Sequence, residues 1–267
     1  MPEGHTIHRL AQDQGRLLAG RAVAVSSPQG RFVEGAALID GRVCTKLEPY
    51  GKHLWYHFEG GLSLHVHLGL YGKWQSGTGP PPEPRGAVRV RMVTEGGWLD
   101  LRGATACELH TAADRNAVLA RLGPDPLRRT DRGEDAWARV SRSRLGIGQL
   151  LMDQTVLAGV GNVYRAEVLY RSSVSPFVLG RDLARPLWEA LWTDTRLLMR
   201  AGVKANRIVT TAPRDRDSRS GPVRREDAHY VYRRAGLSCR RCGAEVRTRV
   251  LAGRNLFWCP HEQVLGS

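Results

Sequence analysis

The pattern of apolar and polar positions divides the chain into a strand-rich first half and a helical second half. Residues 51–58 alternate, residues 62–68 alternate more strictly, and Glu59-Gly60-Gly61 between them has the composition of a hairpin turn. A second pair of strands is predicted over 87–94 and 98–102, with a turn at 95–97. Several short strands at regular spacing are typical of a β-sandwich.

A helix is predicted at the start of the chain. Ile7, Leu10, Ala11, Leu17 and Leu18 fall on one face of a 3.6-residue period. Such an apolar stripe needs a partner surface, so we expect this helix to lie against the sandwich.

The second half begins where the pattern breaks, around 122–127, before a charged stretch that ends at Arg132. Apolar-periodic segments at 147–153 and 163–170 are joined by a glycine-rich turn, and a further helix is predicted over 183–199. We therefore predict an α+β fold of two domains. Its parts are an N-terminal β-sandwich over 1–122, a linker over 123–134, a helical domain over 135–232 and a C-terminal finger over 233–267.

Charge narrows the class of partner. The 267 residues include 40 Lys and Arg against 26 Asp and Glu, a net charge of +14. Residues 201–267 carry 14 basic and 6 acidic side chains, a net +8 from a quarter of the chain. A polyanion such as nucleic acid is the natural partner of such a surface. Because we find neither a signal peptide nor a run of eighteen apolar residues, we expect a cytosolic protein with reduced cysteines.

The cysteine spacing at the end of the chain carries the strongest chemical signal. The order Cys239-x-x-Cys242-Gly243, fifteen further residues and then Cys259-Pro260-His261 is the ligand spacing of a zinc ribbon, two short knuckles separated by a hairpin. Reduced core cysteines are a poorer interpretation because arginine and glycine surround them. We predict one structural Zn²⁺ held by Cys239, Cys242, Cys259 and His261.

The first residues offer a nucleophile. We expect the initiator Met to be removed before Pro2, which would leave a free secondary amine. A free α-amine has a pKa of about 7.7–8.0, against about 10.4 for lysine, and the ring amine of proline is somewhat more basic than that generic value. Such an amine needs little activation, and its adduct with a sugar C1′ is a cationic iminium. Glu3 beside it is placed to act as a general acid. The structural alternative is that Pro2 is a favourable first helical residue and that Glu3 complements the helix dipole.

Three other features are weaker. The turn Gly159-Val160-Gly161-Asn162 could bind a phosphate at a helix start, although a plain joint between helices explains it as well. Lys52 could be an ordinary solvated charge. His65 and His67 share one strand face, and without further ligands they are better explained as hydrogen-bonded histidines than as a metal site.

The order of the motifs is more specific than any one of them. The chain contains M-P-E-G at its start, G-K-H-L around Lys52, L-G-P-D-P-L, I-G-Q-L-L-M-D-Q, G-V-G-N-V-Y-R-A-E-V-L, and a C-x-x-C-G finger with G-R-N-L-F-W-C-P. In this it resembles the formamidopyrimidine-DNA glycosylase and endonuclease VIII (Fpg/Nei) family over essentially its whole length, and the endonuclease VIII branch in particular. The resemblance implies a β-sandwich, a helix-two-turns-helix domain and a zinc finger. It also implies a bifunctional DNA glycosylase/AP lyase that prefers oxidised pyrimidines and cleaves by β,δ-elimination.

The resemblance also implies roles for single residues. Pro2 would be the Schiff-base nucleophile, Glu3 the general acid and Lys52 a DNA-contacting residue near the lesion. The remaining roles fall to side chains that would hold the DNA or support the site: Leu70 and Tyr71 in the space vacated by the lesion, Asn162 and Arg254 on the flanking phosphates, and Glu167 as a carboxylate close to the active site.

Two departures from the family pattern stand out. Thr6 replaces a glutamate, and His5 replaces a proline, so substrate range or rate could differ. Glu262 stands where the family has its fourth finger cysteine. We predict His261 as the fourth ligand because Cys₃His is a common zinc set; Glu262, and a three-ligand or metal-free finger, are the alternatives.

The expected partner is DNA that contains oxidised bases or abasic sites, with no membrane association. We expect a monomer in the cytoplasm of a bacterial-type cell, associated with the nucleoid through DNA. A non-catalytic zinc-containing DNA-binding protein of the same fold is the alternative, and it differs only in whether Pro2 is free and reactive. An RNA-binding module is a weaker interpretation, because no element of the sequence is suited to reading 2′-hydroxyls or single-stranded bases.

Overall fold

The computed structural model describes residues 2–218 and 220–264. The chain divides into two compact units, Met1–Arg121 and Leu122–Ser267. No helix within the described residues is both long enough and apolar enough to cross a membrane.

The first unit is a two-sheet structure with helices at its ends. Its described elements are helices α1 (Gly4–Leu18), α2 (Val33–Ile39) and α3 (Ala112–Leu119), and strands β1 (Arg21–Ala22), β2 (Ala24–Ser26), β3 (Val43–Tyr50), β4 (His53–Phe58), β5 (Ser63–His67), β6 (Lys73–Gly77), β7 (Val88–Thr94), β8 (Gly97–Arg102) and β9 (Ala106–His110). One antiparallel sheet has the order β1-β3-β4-β5-β9 and the other the order β2-β7-β8-β6.

The two sheets share one apolar core. Leu54 and Val66 come from the five-stranded sheet, Met92 and Leu101 from the four-stranded sheet, and Ile7 from α1; all five are at most 1% exposed. Alternate residues of each strand therefore face inward, which is the arrangement of a β-sandwich. The structure confirms the predicted sandwich with the first helix packed on it.

Both predicted hairpins are present. β4 and β5 pair across the turn at 59–61, as the alternation indicated. β7 and β8 are closed by the pair Thr94–Gly97, so their turn has two residues rather than the three that we predicted. Gly97 belongs to the strand, and a Cβ there would lie 2.2 Å from the carbonyl oxygen of Gly77 on the neighbouring strand.

The second unit is mainly helical and ends in a hairpin. Its described elements are helices α4 (Gly133–Val140), α5 (Ile147–Leu150), α6 (Asn162–Arg171) and α7 (Arg185–Ala205), 3₁₀ turns at Gly180–Asp182 and Pro213–Asp215, and strands β10 (Arg247–Leu251) and β11 (Arg254–Trp258). The helix predicted over 147–153 is only one turn long. A new turn begins at Asp153, so the helix ends early. The backbone oxygen of Asp153 accepts from the amides of Val156 and Leu157, and the Asp153 carboxylate accepts from the amide of Thr155.

The four helices enclose one core, and the finger has another. The larger cluster contains at least one buried residue from each of α4 to α7: Val140, Leu150, Val168 and Leu191. In the smaller cluster, Ala166 and Tyr170 of α6 pack against side chains of the finger and of the segment just before it: Tyr230, Val231, Cys239, Val246, Phe257 and Cys259. The finger is thus held to α6 by a core of its own.

The segment that we predicted as a linker is bonded into the second unit. The Gly123 amide donates to Gln154 O at 2.9 Å, and the Ala158 amide donates to Pro124 O at 3.1 Å. Asp125 is fully buried, and its amide donates to the Asp131 carboxylate. The boundaries of the four predicted parts within these two units stay predictions.

Candidate active site

The start of the chain places Pro2 outside the first helix. α1 begins at Gly4, Glu3 is its N-cap with extended backbone angles, and Pro2 precedes the cap. Pro2 is half-buried, whereas Glu3 is 0% exposed. The backbone oxygen of Glu3 accepts from Thr6 N at 2.9 Å. Pro2 is therefore not the first residue of the helix, and helix formation does not account for a proline at this position.

Two hydrogen bonds fix the direction of α1 across the sheet. Near its C-terminus, the Gly20 amide donates to Cys44 O at 2.8 Å, at the beginning of β3. Further towards its start, Gln14 accepts from the hydroxyl of Tyr56, the residue that pairs with Leu47 of β3. The helix therefore runs antiparallel to β3.

This direction brings the helix start to one end of the sheet. The ten residues from Gln14 back to the first residue of the helix span about 15 Å. The same distance along a strand is about four to five residues, which leads from Leu47 to the turn that carries Lys52. Pro2 and Glu3 thus lie at the end of the sheet where Lys52 lies. Sequence reasoning missed the Gln14–Tyr56 contact, because a buried glutamine on an apolar helix face carries no pattern of its own.

Lys52 occupies a two-residue hairpin turn. Tyr50 and His53 form the last pair of β3 and β4, and Gly51 between them has a φ of 55°. A glycine with positive φ at the first central position is typical of a type II′ turn. His53 in turn pairs with His67 at the end of β5. Burial and then the positive charge of Lys52 lower the pKa of His67, so the ammonium group acts on that ring.

The next segment of chain presents two exposed apolar side chains. Leu70 is 47% exposed and Tyr71 is 84% exposed. Their loop is closed by a hydrogen bond of 2.9 Å from Gly72 N to Leu68 O. Because this loop follows directly after His67, it lies at the same end of the sheet as Lys52. The structure thus brings Pro2, Glu3, Lys52, Leu70 and Tyr71 to one end of the first unit.

His5 and Thr6, the two departures from the family pattern, form a pair. The imidazole Nε2 of His5 lies 3.3 Å from the hydroxyl of Thr6. Burial, followed by the N-terminal charge, lowers the pKa of His5 to about 4. His5 is therefore neutral at neutral pH and adds no charge next to Glu3.

A row of aromatic rings covers the outer face of the five-stranded sheet. Trp55, on β4, donates from its indole N–H to His110 Nδ1 at 3.2 Å. His110 Nε2 and His65 Nδ1 both lie close to one oxygen of Glu108, at 3.2 and 3.3 Å. His53 Nδ1 lies 2.9 Å from His65 Nε2. These histidines are hydrogen-bonded, as we predicted for His65.

His65, Glu108 and His110 also have the spacing of a metal site, since their ligand atoms lie within 4.8 Å of one another. The tryptophan argues against it. An indole N–H only donates, so it keeps His110 Nδ1 unprotonated and places the ring proton on Nε2, the atom that would face the metal. The proton then points at Glu108, and the geometry is that of a hydrogen-bonded chain.

In the second unit, Asn162 and the residue next to Arg254 are in direct contact. Asn162, the first residue of α6, is 7% exposed, and its Nδ2 donates to Asn255 O at 2.9 Å. Arg165, fully buried one turn later, donates to Asn162 Oδ1 and, at 3.3 Å each, to Asn255 O and Gly148 O. One guanidinium thus ties together α5, α6 and β11. The sequence offered no signal for this use of Arg165.

The glycine-rich turn before α6 is held from inside by Gln154. The Gln154 Nε2 donates to Val160 O at 2.9 Å, and its Oε1 accepts from Gly159 N at 3.0 Å. A single side chain thus satisfies a donor and an acceptor of the turn, which fixes the path of the backbone towards Asn162.

Glu167 has a structural role within its own unit. Its side chain is 0% exposed. One oxygen accepts from Val231 N and Tyr232 N, and the other from Tyr230 N and the hydroxyl of Thr210. These four donors fill the acceptor positions of a carboxylate. What Glu167 supports directly is therefore the attachment of the chain before the finger to α6.

The three finger cysteines converge. Their sulfur atoms lie within 4.8 Å of one another, and those of Cys242 and Cys259 are 3.5 Å apart. Cys242 is exposed as a residue, but local desolvation of its sulfur and the neighbouring sulfurs of Cys259 and Cys239 raise the pKa of its thiol to about 12. The pKa of Cys239 is lowered. Burial raises it, but hydrogen bonds from the backbone amides of Cys242 and Arg241 and from the hydroxyl of Tyr170 lower it by more. Three sulfurs this close lose their protons together only around a cation, so the donor set fits a zinc ion.

His261 is not part of this group. The turn after Cys259 is closed by hydrogen bonds from Gln263 N to Cys259 O at 3.1 Å and from Cys259 N to Gln263 Oε1 at 3.0 Å. Gln263 is further anchored to Val174 O. This turn leaves His261 exposed. The structure therefore does not bring His261 to the three sulfurs, and its role as the fourth ligand stays a prediction.

Comparison with known families covers nearly the whole chain. The model described as the formamidopyrimidine-DNA glycosylase N-terminal domain matches residues 1–107. The formamidopyrimidine-DNA glycosylase H2TH domain matches residues 122–213. The zinc finger found in FPG and IleRS matches residues 236–261, which contain all three converging cysteines.

Individual relatives agree with these matches. Endonuclease 8 1 of Mycobacterium tuberculosis is 48% identical, with 97% of this chain and 98% of the relative aligned. Endonuclease 8 of Salmonella schwarzengrund is 32% identical over 98% of this chain and 100% of the relative. The fold matches that of Lactococcus lactis Fpg in complex with abasic-site DNA, with a TM-score of 0.81, 21% identity and coverage of 98% and 99% of the two chains. From these relatives and the finger, we conclude that the chain belongs to the formamidopyrimidine-DNA glycosylase and endonuclease 8 (Fpg/Nei) family, and that it is a zinc-finger DNA glycosylase and AP lyase of DNA repair.

Proposed function

We propose that the enzyme excises oxidised bases, pyrimidines in preference, through a Schiff base at Pro2, and then cleaves the strand by β,δ-elimination. One observation carries this proposal. Pro2 lies outside α1, next to the buried Glu3 and at the end of the sheet that carries Lys52. The amine of Pro2 is therefore not used by the helix, and the carboxylic acid of Glu3 follows it directly in the chain.

The first step belongs to Pro2. Its unprotonated nitrogen attacks the sugar C1′, a C1′–N bond to Pro2 forms, and the bond to the damaged base breaks with its electron pair on the base. The nitrogen then loses its proton to the Glu3 carboxylate, which passes it to the ring oxygen as the C1′–oxygen bond breaks. The resulting cationic iminium draws electrons from C2′. Loss of a C2′ proton expels the 3′ phosphate, a second elimination expels the 5′ phosphate, and water releases Pro2.

Glu3 and Lys52 assist this sequence. Glu3 supplies the proton that the departing base or the opening sugar oxygen requires, a contribution of about 10²- to 10⁴-fold for general acid catalysis. Lys52 contacts the DNA near the lesion, and its position in a tight turn holds the ammonium group at the same end of the sheet.

Other side chains hold the DNA. The exposed Leu70 and Tyr71 enter the space that the flipped nucleotide leaves, since apolar wedges offset lost base stacking. Asn162 and Arg254 bind the flanking phosphates. Glu167 supports the site through the chain segment that its carboxylate holds.

The proposal also includes a metal ion, a substrate class and a place of action. One structural Zn²⁺ is held by Cys239, Cys242 and Cys259. The substrate is DNA with oxidised bases or abasic sites, on which the enzyme acts as a monomer, in the cytoplasm and at the nucleoid. A Lactococcus lactis Fpg structure of the same fold contains oxidised-pyrimidine DNA, and two relatives are named endonuclease 8, which supports the choice of substrate class.

Borohydride trapping tests the nucleophile. Untagged, Met-trimmed protein is mixed with duplexes that carry an abasic site or an oxidised pyrimidine, and the iminium is reduced to a stable amine. We expect a covalent complex whose DNA adduct maps to Pro2 by mass spectrometry. A matched protein with one extra N-terminal residue should lose trapping and keep its affinity for DNA.

The outcome separates the two candidate functions. A covalent complex at Pro2 supports the enzyme mechanism. DNA binding without trapping on any of these lesions would favour a non-catalytic DNA-binding protein of the same fold. Trapping at a lysine instead of Pro2 would overturn the assignment of the nucleophile.

A further inference from the structure

We propose that the finger holds its zinc ion through three thiolates alone and that an external ligand, water or a small thiol, takes the fourth position. This inference rests on the proposed zinc ion, and it is independent of the chemistry at Pro2. Structural zinc sites are ordinarily closed by four protein ligands, whereas an open position makes a metal reactive towards outside ligands.

The thiolates supply three corners of a site that opens to solvent. Cys239 is 4% exposed and Cys259 is 0% exposed, so their sulfurs lie against the finger core. Cys242 is exposed. Small external molecules can therefore reach the site on the side of Cys242.

His261 is held away from the sulfurs by the turn that follows Cys259. The two hydrogen bonds between Cys259 and Gln263 fix the turn at both ends, and Gln263 Nε2 is bound to Val174 O at 2.9 Å. The His261 ring is exposed on this turn and does not belong to the group of ligand atoms that lie within 4.8 Å of one another.

Glu262 occupies the register of a cysteine in the family pattern but is directed to a different partner. Its carboxylate lies 3.8 Å from a guanidinium nitrogen of Arg241. Arg241 is itself placed over the rings of Tyr170 and Tyr230, at 5.0 and 4.9 Å from their centroids. Ligation by Glu262 would give up this ion pair, and a carboxylate is a poor partner in a thiolate-rich site.

An open position changes the behaviour of the finger. A ligand that exchanges with solvent lets chelators and small thiols approach the metal, so we expect the ion to be exchanged faster than in a four-thiolate finger. Because metal binding and folding of such a finger are coupled, the hairpin that carries Arg254 would depend on the supply of metal.

Cobalt substitution of the full-length protein tests this proposal. Co²⁺ replaces Zn²⁺, and its absorption reports the number of thiolates and the geometry. We expect a three-thiolate spectrum that shifts when 2-mercaptoethanol or imidazole is added. The matched variant Glu262→Cys should show a four-thiolate spectrum, lose the shift on addition of either ligand, and release zinc to a chelator more slowly than the parent.

Two alanine variants decide between the candidate protein ligands. If the fourth position is external, His261→Ala and Glu262→Ala should retain the parental cobalt spectrum and one zinc per chain. The proposal is overturned if the parental cobalt spectrum does not shift when ligand is added and one alanine variant has a different spectrum. A changed spectrum in His261→Ala would identify His261 as the fourth ligand, and a changed spectrum in Glu262→Ala would identify Glu262. A native protein that takes up neither metal would overturn it as well, whatever the result of borohydride trapping.

Discussion

The side-chain amide of Asn162 donates to the backbone carbonyl of Asn255, so the first residue of α6 is joined to the residue that follows Arg254. Arg165 donates to both partners from a fully buried position. The two residues proposed to bind phosphates are therefore parts of one rigid arrangement, although 92 positions separate Asn162 from Arg254 in the sequence. Such preorganisation reduces the entropy that DNA binding must overcome.

Asn162→Ala should lower both stability and DNA affinity. The substitution removes the Asn162 donor from the Asn255 carbonyl and the Asn162 acceptor from the Arg165 guanidinium, two buried hydrogen bonds whose loss costs about 1–3 kcal/mol. Urea denaturation and a binding titration measure the two effects. Asn255→Ala is the matched control because only its backbone oxygen takes part, and it should leave stability nearly unchanged. Equal destabilisation by both substitutions would contradict the importance of this contact.

Glu3→Gln should impair base excision more than strand cleavage at a ready-made abasic site. An abasic site has no base to protonate, so its cleavage loses Glu3 only at the opening of the sugar ring. Base excision also loses the proton for the departing base, a contribution of about 10²- to 10⁴-fold. Single-turnover assays on an oxidised-pyrimidine duplex and on an abasic duplex give the two rates. Equal losses on both substrates would refute this division of labour.

Arg254→Ala should weaken binding to all DNA sequences alike. Loss of one phosphate contact reduces the slope of log affinity against log salt by about one unit. Affinities measured across a salt series provide the slope. Arg254→Lys keeps the charge and should keep the slope, whereas an unchanged slope in Arg254→Ala would show that Arg254 contacts no phosphate.

Stability should fall in acid because of the histidine row on the outer sheet face. Burial lowers the pKa of His53 to about 3 and that of His65 to about 4. Since an unfolded histidine titrates near 6.5, the unfolded chain binds more protons below that pH. The stabilisation is therefore complete above pH 6.5 and is lost as pH falls towards 4, by about 2 kcal/mol per histidine at pH 5.

Denaturation at pH 7.5 and pH 5 measures this loss. His65→Asn removes one of the titrating rings, so its stability should depend less on pH than that of the parent. If the variant and the parent lose the same free energy between these two pH values, the row does not control acid stability.

The sequence by itself determined the features that rest on local patterns. Alternation predicted the β4–β5 hairpin, helical periodicity predicted α1, and the spacing of Cys239, Cys242 and Cys259 predicted a finger whose sulfurs the structure brings together. These features succeed because strand pleat, helix period and ligand spacing are properties of a few neighbouring residues. The order of the motifs then identified the family.

Tertiary structure decided what depends on partners distant in the sequence. The contact between Gln14 and Tyr56 sets where Pro2 and Glu3 lie, and Glu167 accepts hydrogen bonds from backbone donors more than sixty residues away. The turn after Cys259 leaves His261 exposed and outside the group of three sulfurs. A buried polar side chain must find a partner, but its sequence position does not say which one. The choice is made only when the packed core brings the partners within hydrogen-bonding distance.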